Sequence, residues 1–417
     1  MSAATNPTRP HDVVIFGATG FVGRLVAEYL AEHAPDGVRV ALAGRSRERL
    51  VQVRATLPPR ARDWPLVVAD VADPSSLRAL AESTTAVAST VGPYLRYGLP
   101  VVQACAEAGT HYADLTGEVL FVRRAIDAVD ARAKETGARI VTACGYDSIP
   151  SDLGVLLLHE RAVADAAGGL LDTTLHAKSK GGLSGGTIDS SRAQLEAVSE
   201  DKALSKVIFD PYALSPDRVA EPDLGKERDV RSVFADAETG EWVGPFIMAG
   251  FNTRIVRRSN ALRDHAYGRR FRYREVSAYG RGLRGRRQAT VFTGVMGLAI
   301  AGLANPRTRP IFDRLAPSPG EGPSEQNRRS GWFAMKIRTT TETGRRYLAT
   351  VSAQGDPGYA ATAVMLGESA LCLALDGEKL PEAAGVLTPA TAMGDALVER
   401  LRAQAFTLTV DELPDRP

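Results

Sequence analysis

The stretch "HDVVIFGATGFVGRLVAEYL" (His11 to Leu30) constrains this chain more than any other, because a short β-branched run passes at once into glycines and then into helical apolar spacing. Asp12 to Phe16 reads as a buried strand, and Val22, Leu25, Val26, Tyr29 and Leu30 fall near one face of a helix. Gly17, Gly20 and Gly23 therefore sit at a strand-to-helix turn. The first N–H groups of a helix lack intrahelical partners, and the helix dipole adds positive potential there, so an anion belongs at that spot. Gly17 suits the tight turn, Gly20 lets backbone approach a pyrophosphate, and Gly23 lets the helix press on the strand. The candidate cradle is Gly17, Ala18, Thr19, Gly20, Phe21, Val22 and Gly23. Its G-x-x-G-x-x-G spacing is a variant of the dinucleotide fingerprint, and the alternative is a glycine-rich turn with no ligand.

The alternation continues through "VRVALAGR", "PLVVAD", "TAVASTVG", "THYADL" and "ARIVTACG", each a strand signal separated from the next by a helical stretch. Ser46 is placed to cap the helix of "SRERLVQVRATL", and Asp73 with Pro74 reads as an N-cap and first helical residue. Six strands joined by helices predict an α/β fold with an N-terminal Rossmann-type, doubly wound parallel sheet, whose ligands lie beyond the carboxyl ends of the strands. The expected organisation is a disordered leader over residues 1–10, a dinucleotide-binding domain over 11–152, and an α+β substrate domain over 153–417 whose last helices pack back on the first. Within that second part, "TTLHAKSK" and "WFAMKIRTT" read as strands and "YAATAVMLGESALCLAL" as a helix. Ala316 to Gly331 reads as loop and "GVLTPATAMG" as a turn.

Composition narrows the function. With 51 basic and 49 acidic side chains the formal net charge is +2, which gives no field to draw in nucleic acid. Cys105, Cys144 and Cys372 are far apart, form no metal-ligand spacing, and fit a reducing cytoplasm. "MSAATNPTRP" lacks the apolar core of a secretion signal. The segment Val291 to Ala304, "VFTGVMGLAIAGLA", is apolar throughout and bordered by arginines, yet shorter than the ~20 residues that span a bilayer. The first expectation for it is a buried helix. Peripheral membrane attachment, or a wall for a lipidic substrate, is the alternative.

Arg45 and Ser46, at the end of the second strand in "AGRSRERL", favour NADP(H) over NAD, since arginine accommodates a 2′-phosphate where an acidic residue would hold a 2′-hydroxyl. Asp70, after the third strand, is a candidate adenine contact or a turn residue. Gly92 and Pro93 after the fourth strand would let the chain pass beneath the nicotinamide ribose. Tyr94, Tyr146 and Asp147 are candidate proton donors by location, and Cys144 reads as a packed residue. In "GGLSGGT", Ser184, Gly185 and Thr187 are candidate substrate contacts. Gly182, Ser184 and Gly186 also satisfy the G-x-S-x-G pattern of serine hydrolases, but His265 is the sole later histidine and no oxyanion-hole segment is evident.

Together, "VVIFGATGFVGRLVAEYL", "VGPYLRYGLPVVQACAEAGTHYADLTGE", "CGYDSIPSDLG", "GGLSGGT", "PGEGPSEQNRRSGWF" and "GVLTPATAMG" resemble the saccharopine dehydrogenase-like oxidoreductases, and more narrowly the actinobacterial trans-acting enoyl reductases. The resemblance covers nearly the whole chain. It implies a Rossmann domain with an α/β substrate domain, NADPH as cofactor, and reduction of a double bond in an acyl or polyketide thioester carried by a synthase. It supplies no catalytic residue that can be carried over. A saccharopine-type reductase acting on an imine, and a non-enzymatic NADP-binding, lipid-associated protein, stay open as alternatives.

NADPH is expected to bind well ahead of NADH because Arg45 meets the 2′-phosphate. Losing a charge-assisted hydrogen bond costs ~1.5–3 kcal/mol, about tenfold to over a hundredfold in affinity. Arg45→Ala should erase most of that preference when the two cofactors are titrated side by side, and equal binding by the unaltered protein would overturn the assignment.

Overall fold

The structure, a computed structural model, describes residues 9–181, 185–304, 307–308 and 324–414. Strand β1 (His11–Phe16) is buried along nearly its whole length and takes a parallel neighbour on each side, β2 (Val40–Gly44) and β4 (Thr84–Ser89). Helix α1 (Phe21–His33) follows β1, α2 (Arg47–Thr56) follows β2, and β3 (Leu66–Val68) leads to α3 (Pro74–Glu82). The caps are those the sequence marks: Ser46 Oγ accepts from Arg49 N, and the Asp73 carboxylate accepts from Ser75 N and Ser76 N. Beyond β4 come α4 (Tyr94–Ala108), β5 (His111–Asp114), α5 (Val119–Thr136) and β6 (Arg139–Val141).

With β13 (Gly385–Leu387) at its edge, this sheet has seven strands, ordered β13-β6-β5-β4-β1-β2-β3 and parallel throughout. The order reverses between β1 and β4, where doubly wound sheets bind their ligands. The seventh strand corrects the sequence reading: Gly385 to Leu387, read as part of a turn, pairs with β6 and is followed by a capping box at Thr388. Three residues carry no periodicity, so only the neighbouring strand defines them.

The second sheet is mixed. After α6 (Ile149–Ala164) come β7 (Leu170–Lys180), α7 (Gly185–Glu200), α8 (Leu204–Phe209), β8 (Phe234–Ala235), β9 (Trp242–Pro245), α9 (Ala249–Leu262), β10 (Arg272–Ala278) and α10 (Gly282–Ala304). Then follow α11 (Glu325–Ser330), β11 (Trp332–Thr341), β12 (Arg346–Gln354), α12 (Ala360–Leu375), β13, α13 (Pro389–Ala392), α14 (Gly394–Ala403) and β14 (Thr407–Leu413). The strand order is β14-β12-β11-β7-β10-β9-β8, with β7 and β10 parallel and the rest antiparallel. Strands β11 and β12 alternate buried and less buried residues, so one face is core. Helix α11, capped by Ser324, corrects the loop reading of its segment, the rest of which lies largely outside the described residues.

Helix α12 joins the two halves. Every residue from Ala361 to Leu375 except Val364 is buried. It packs on α1 so closely that a Cβ on Gly367 would lie 2.6 Å from the Tyr29 ring. The Tyr29 hydroxyl donates to Glu368, and Arg400 pairs with that same buried carboxylate at 3.1 Å. A helix with no polar face is stable only inside a core, and here the core lies between the sheets. Leu366, fully buried there, tests the arrangement. Leu366→Ala should cost ~2–5 kcal/mol in urea unfolding, and a loss below ~1 kcal/mol would remove α12 from the central core.

Candidate active site

The turn after β1 is held by backbone. Gly17 N and Ala18 N donate to Ala43 O at 3.0 and 3.2 Å, and Gly20 N donates to Gly17 O at 2.9 Å. Gly17 sits at φ +91°, and a Cβ there would meet Thr90 Oγ1 at 2.7 Å. A Cβ on Gly23 would lie 2.2 Å from Gly17 O, so α1 can approach the turn only through glycine. Gly20 differs: its Cβ would find only Gly17 O, at 3.3 Å, and otherwise open space. Gly20 is the N-cap of α1 and offers no side chain, so the helix amides face outward uncapped. Gly20, Phe21, Val22 and Gly23 border a cavity of about 750 Å³ between the two sheets. Ala18 is buried, and the Thr19 methyl sits over Gly44. This cradle fits a dinucleotide diphosphate: amides and dipole attract the anion, and the missing Cβ leaves room for it.

Gly92 and Pro93, joined by a cis peptide, border the same cavity. The loop is braced by Glu118, whose carboxylate accepts from Tyr94 N at 2.9 Å and Leu95 N at 2.6 Å. Glu118 also accepts from Ser190 Oγ of α7 at 2.6 Å, tying the second domain to the first. A buried anion at an uncapped helix start satisfies donors that would otherwise be orphaned. The role proposed for Tyr94 as a proton donor needs correction. Its ring lines the cavity, but its hydroxyl donates to Ser89 O at 3.0 Å and accepts from Leu115 N at 3.2 Å, so both ends are engaged.

Asp147 faces the cavity from the turn after β6. Its carboxylate takes no hydrogen bond among the described residues, and a Cβ on Gly117 would crowd Oδ2 at 3.2 Å. Burial raises the carboxyl pKa to about 7, helped by repulsion from Glu275. Glu275 is itself raised to about 7 by burial and accepts hydrogen bonds from Tyr273 Oη at 2.8 Å and Asn252 Nδ2 at 3.0 Å. Asn252 Oδ1 in turn accepts from Ser148 Oγ at 2.9 Å, and Ser148 stands at φ +139°. A non-glycine residue in that region is strained, and here the strain adjoins the candidate acid. Folded Asp147 keeps its proton to about pH 7, whereas an unfolded aspartate releases it near ~3.9. The folded form binds more protons in between, so this group stabilises most at acid pH and loses that contribution as pH rises through about 7.

The ring of Tyr146 stands edge-on to Phe246 and Phe333, at 6.4 and 5.2 Å between centroids. Its hydroxyl is enclosed beside Ser179 without a well-formed hydrogen bond, and burial raises its pKa, so it is wall more than acid. Cys144 is buried and its thiol pKa is raised by burial, as a packed residue requires. Arg45 is exposed at the end of β2, while the Ser46 hydroxyl caps α2 and donates to Glu48 at 2.8 Å. Asp70 accepts from Ala72 N at 2.9 Å, which is a turn contact, and it stands apart from the cavity. Gly185 borders the cavity and donates to Tyr359 Oη at 3.1 Å. Ser184 lies outside the described residues, and Thr187 falls in the first turn of α7. Sequence reasoning placed the segment Asp114 to Glu118 at the reaction face without giving Glu118 a role, and did not single out Asn252 or Glu275. Glu275 stands in RYREVSA between Arg274 and Val276, with Arg272 nearby, so no local pattern set it apart from an ordinary charged strand residue.

Residues 13–141 match the model of the saccharopine dehydrogenase NADP binding domain. A provisionally named trans-acting enoyl reductase of Mycobacterium tuberculosis (strain H37Rv) is 51% identical over 98% of this chain and 99% of its own length. Trans-acting enoyl reductases of Mycobacterium bovis (strain BCG) and Mycobacterium ulcerans are each 48% identical, over 94% of this chain and 96% of theirs. The fold is similar to that of saccharopine dehydrogenase (L-Glu forming) from Saccharomyces cerevisiae, with a TM-score of 0.56 at 14% identity, covering 96% of this chain and 99% of that one.

The two glycines separate cradle from scaffold. Gly20→Val should abolish NADPH binding with the circular dichroism spectrum unchanged, because the new side chain enters the open space over α1. Gly23→Ala should instead lower the unfolding midpoint, because its Cβ meets the Gly17 carbonyl. Unchanged NADPH affinity in the Gly20 variant would make the turn structural only.

Proposed function

This chain belongs to the trans-acting enoyl reductase family, and we propose that its cavity reduces the double bond of an α,β-unsaturated acyl thioester supplied by a separate synthase. The observation that carries the reading is that the glycine cradle and the raised carboxyl of Asp147 open into one cavity. Bound NADPH supplies the hydride for the β-carbon. The amides at Gly20 and the start of α1 hold the diphosphate, and Arg45 meets the 2′-phosphate. Asp147 gives its proton to the α-carbon, and a carboxyl with a pKa of about 7 is protonated often enough at neutral pH to do so. Ser148, Asn252 and Glu275 fix the turn that aims it. Tyr146 and Phe246 keep water from that side of the cavity.

The walls favour an acyl chain over an amino-acid imine. Among the described residues bordering the cavity there is no arginine or lysine, so nothing there would pair with the carboxylates of a saccharopine-like substrate. Phe246, Met248, Phe251 and Phe292 offer apolar surface instead. The substrate class is a fatty acyl or polyketide chain on a carrier. Its tail leads toward Phe292, so lipid contact through residues 291–304 belongs to the same reading.

The test is NADPH oxidation with enoyl thioesters of increasing chain length, beside imines and ketones. Each methylene buried contributes ~0.8 kcal/mol, so kcat/KM should rise with chain length; a flat profile, or best turnover of an imine, would defeat the reading. Asp147→Asn should lower kcat by about 10²–10⁴ with the NADPH Kd unchanged. In the unaltered enzyme kcat should fall as pH rises through about 7, where Asp147 loses its proton, and the Asn variant should lack that limb.

A further inference from the structure

The expectation that residues 291–304 form a buried helix is overturned. Helix α10 turns Gly285 and Ala289 inward, where it rests on β9 with Arg286 stacked over Trp242 at 5.2 Å. The opposite face carries Arg284, Arg287, Val291, Val295 and Leu298, a spacing of three and four residues that makes one continuous stripe. Val291, Val295 and Leu298 are 66%, 61% and 70% exposed. Phe292 and Ile300 on the flanks are also exposed. No helix among the described residues is long and apolar enough to cross a membrane.

The charges around the stripe indicate what covers it. From Val276 to Ala304 the chain has four arginines and no aspartate or glutamate. Arg284 and Arg287 stand exposed on the stripe itself, one turn ahead of the apolar residues. Apolar side chains that want burial, beside cations with no acidic neighbours in sequence, complement an anionic lipid surface: the arginines meet headgroups while the apolar residues enter the acyl boundary. Phe292 belongs at once to this helix and to the wall of the reduction cavity.

We propose that α10 lies flat in the interface of an anionic membrane and sets the cavity mouth at the lipid surface. The docking stands on the helix alone. Its consequence, delivery of a lipid-borne acyl chain past Phe292, rests on the enoyl reductase reading.

The test is flotation of the full chain with vesicles of phosphatidylcholine alone or mixed with phosphatidylglycerol. The unaltered protein should float with the mixed vesicles and bind the neutral ones at least tenfold more weakly. Val295→Asp with Leu298→Asp should lose at least tenfold in binding while NADPH affinity is kept, and Arg284→Gln with Arg287→Gln should lose the preference for anionic lipid. No flotation, or flotation untouched by the Asp pair, overturns the proposal. So does a concentration-dependent dimer that the Asp pair dissolves, which would make a second copy the occupant. Turnover of a short soluble enoyl thioester without vesicles is read separately: if it fails while flotation holds, the reductase reading falls and the docking stands.

Discussion

The contact on which the dinucleotide half depends is the one between the Gly17 carbonyl and the first turn of α1. With no Cβ at Gly23, the helix starts against the end of its own strand, and its uncapped amides point across the gap between β1 and β4. A helix set back by the width of a methyl group would carry its dipole away from that gap. The same approach lets α1 meet α12, where Gly367 admits the Tyr29 ring. Two glycine contacts thus align the cradle with the core that joins the sheets.

The protein buries several carboxyls and gives them different work. Asp114 accepts from Tyr112 Oη, Thr116 N and Ala143 N, and so stitches β5 to the segment after β6. Asp152 accepts from Ser259 Oγ and Ala390 N, tying α6 to α9 and α13. Glu118 braces the start of α4. These carboxyls spend their oxygens on donors within the fold. Asp147 has none among the described residues, which is what sets it apart as the candidate acid.

The second sheet supplies what the first lacks. Strand β10 brings Glu275 near Asp147, α9 brings Asn252 to bond Glu275 and Ser148, and α10 carries Phe292 to the cavity wall. The cofactor cradle is local in sequence, whereas the environment of the candidate acid is assembled from three separate segments. One half can therefore hold a common cofactor while the other is shaped for a particular substrate.

The sequence by itself determined the β1–α1 turn, the six-strand alternation, the caps at Ser46 and Asp73, and the NADP-binding character of the first half, which the family match bears out. Each of these depends on neighbours within a few residues, where periodicity and turn chemistry operate. Tertiary structure alone decided that Gly385 to Leu387 is a strand, since three residues become one only beside β6. It engaged the Tyr94 hydroxyl with Ser89 and Leu115, enclosed that of Tyr146, and left Asp147 open to the cavity, distinctions that three polar residues at strand ends cannot show in a linear string. It also exposed α10. Apolar composition states that a segment is driven from water, but whether protein or another phase receives it depends on which surfaces the rest of the chain leaves within reach.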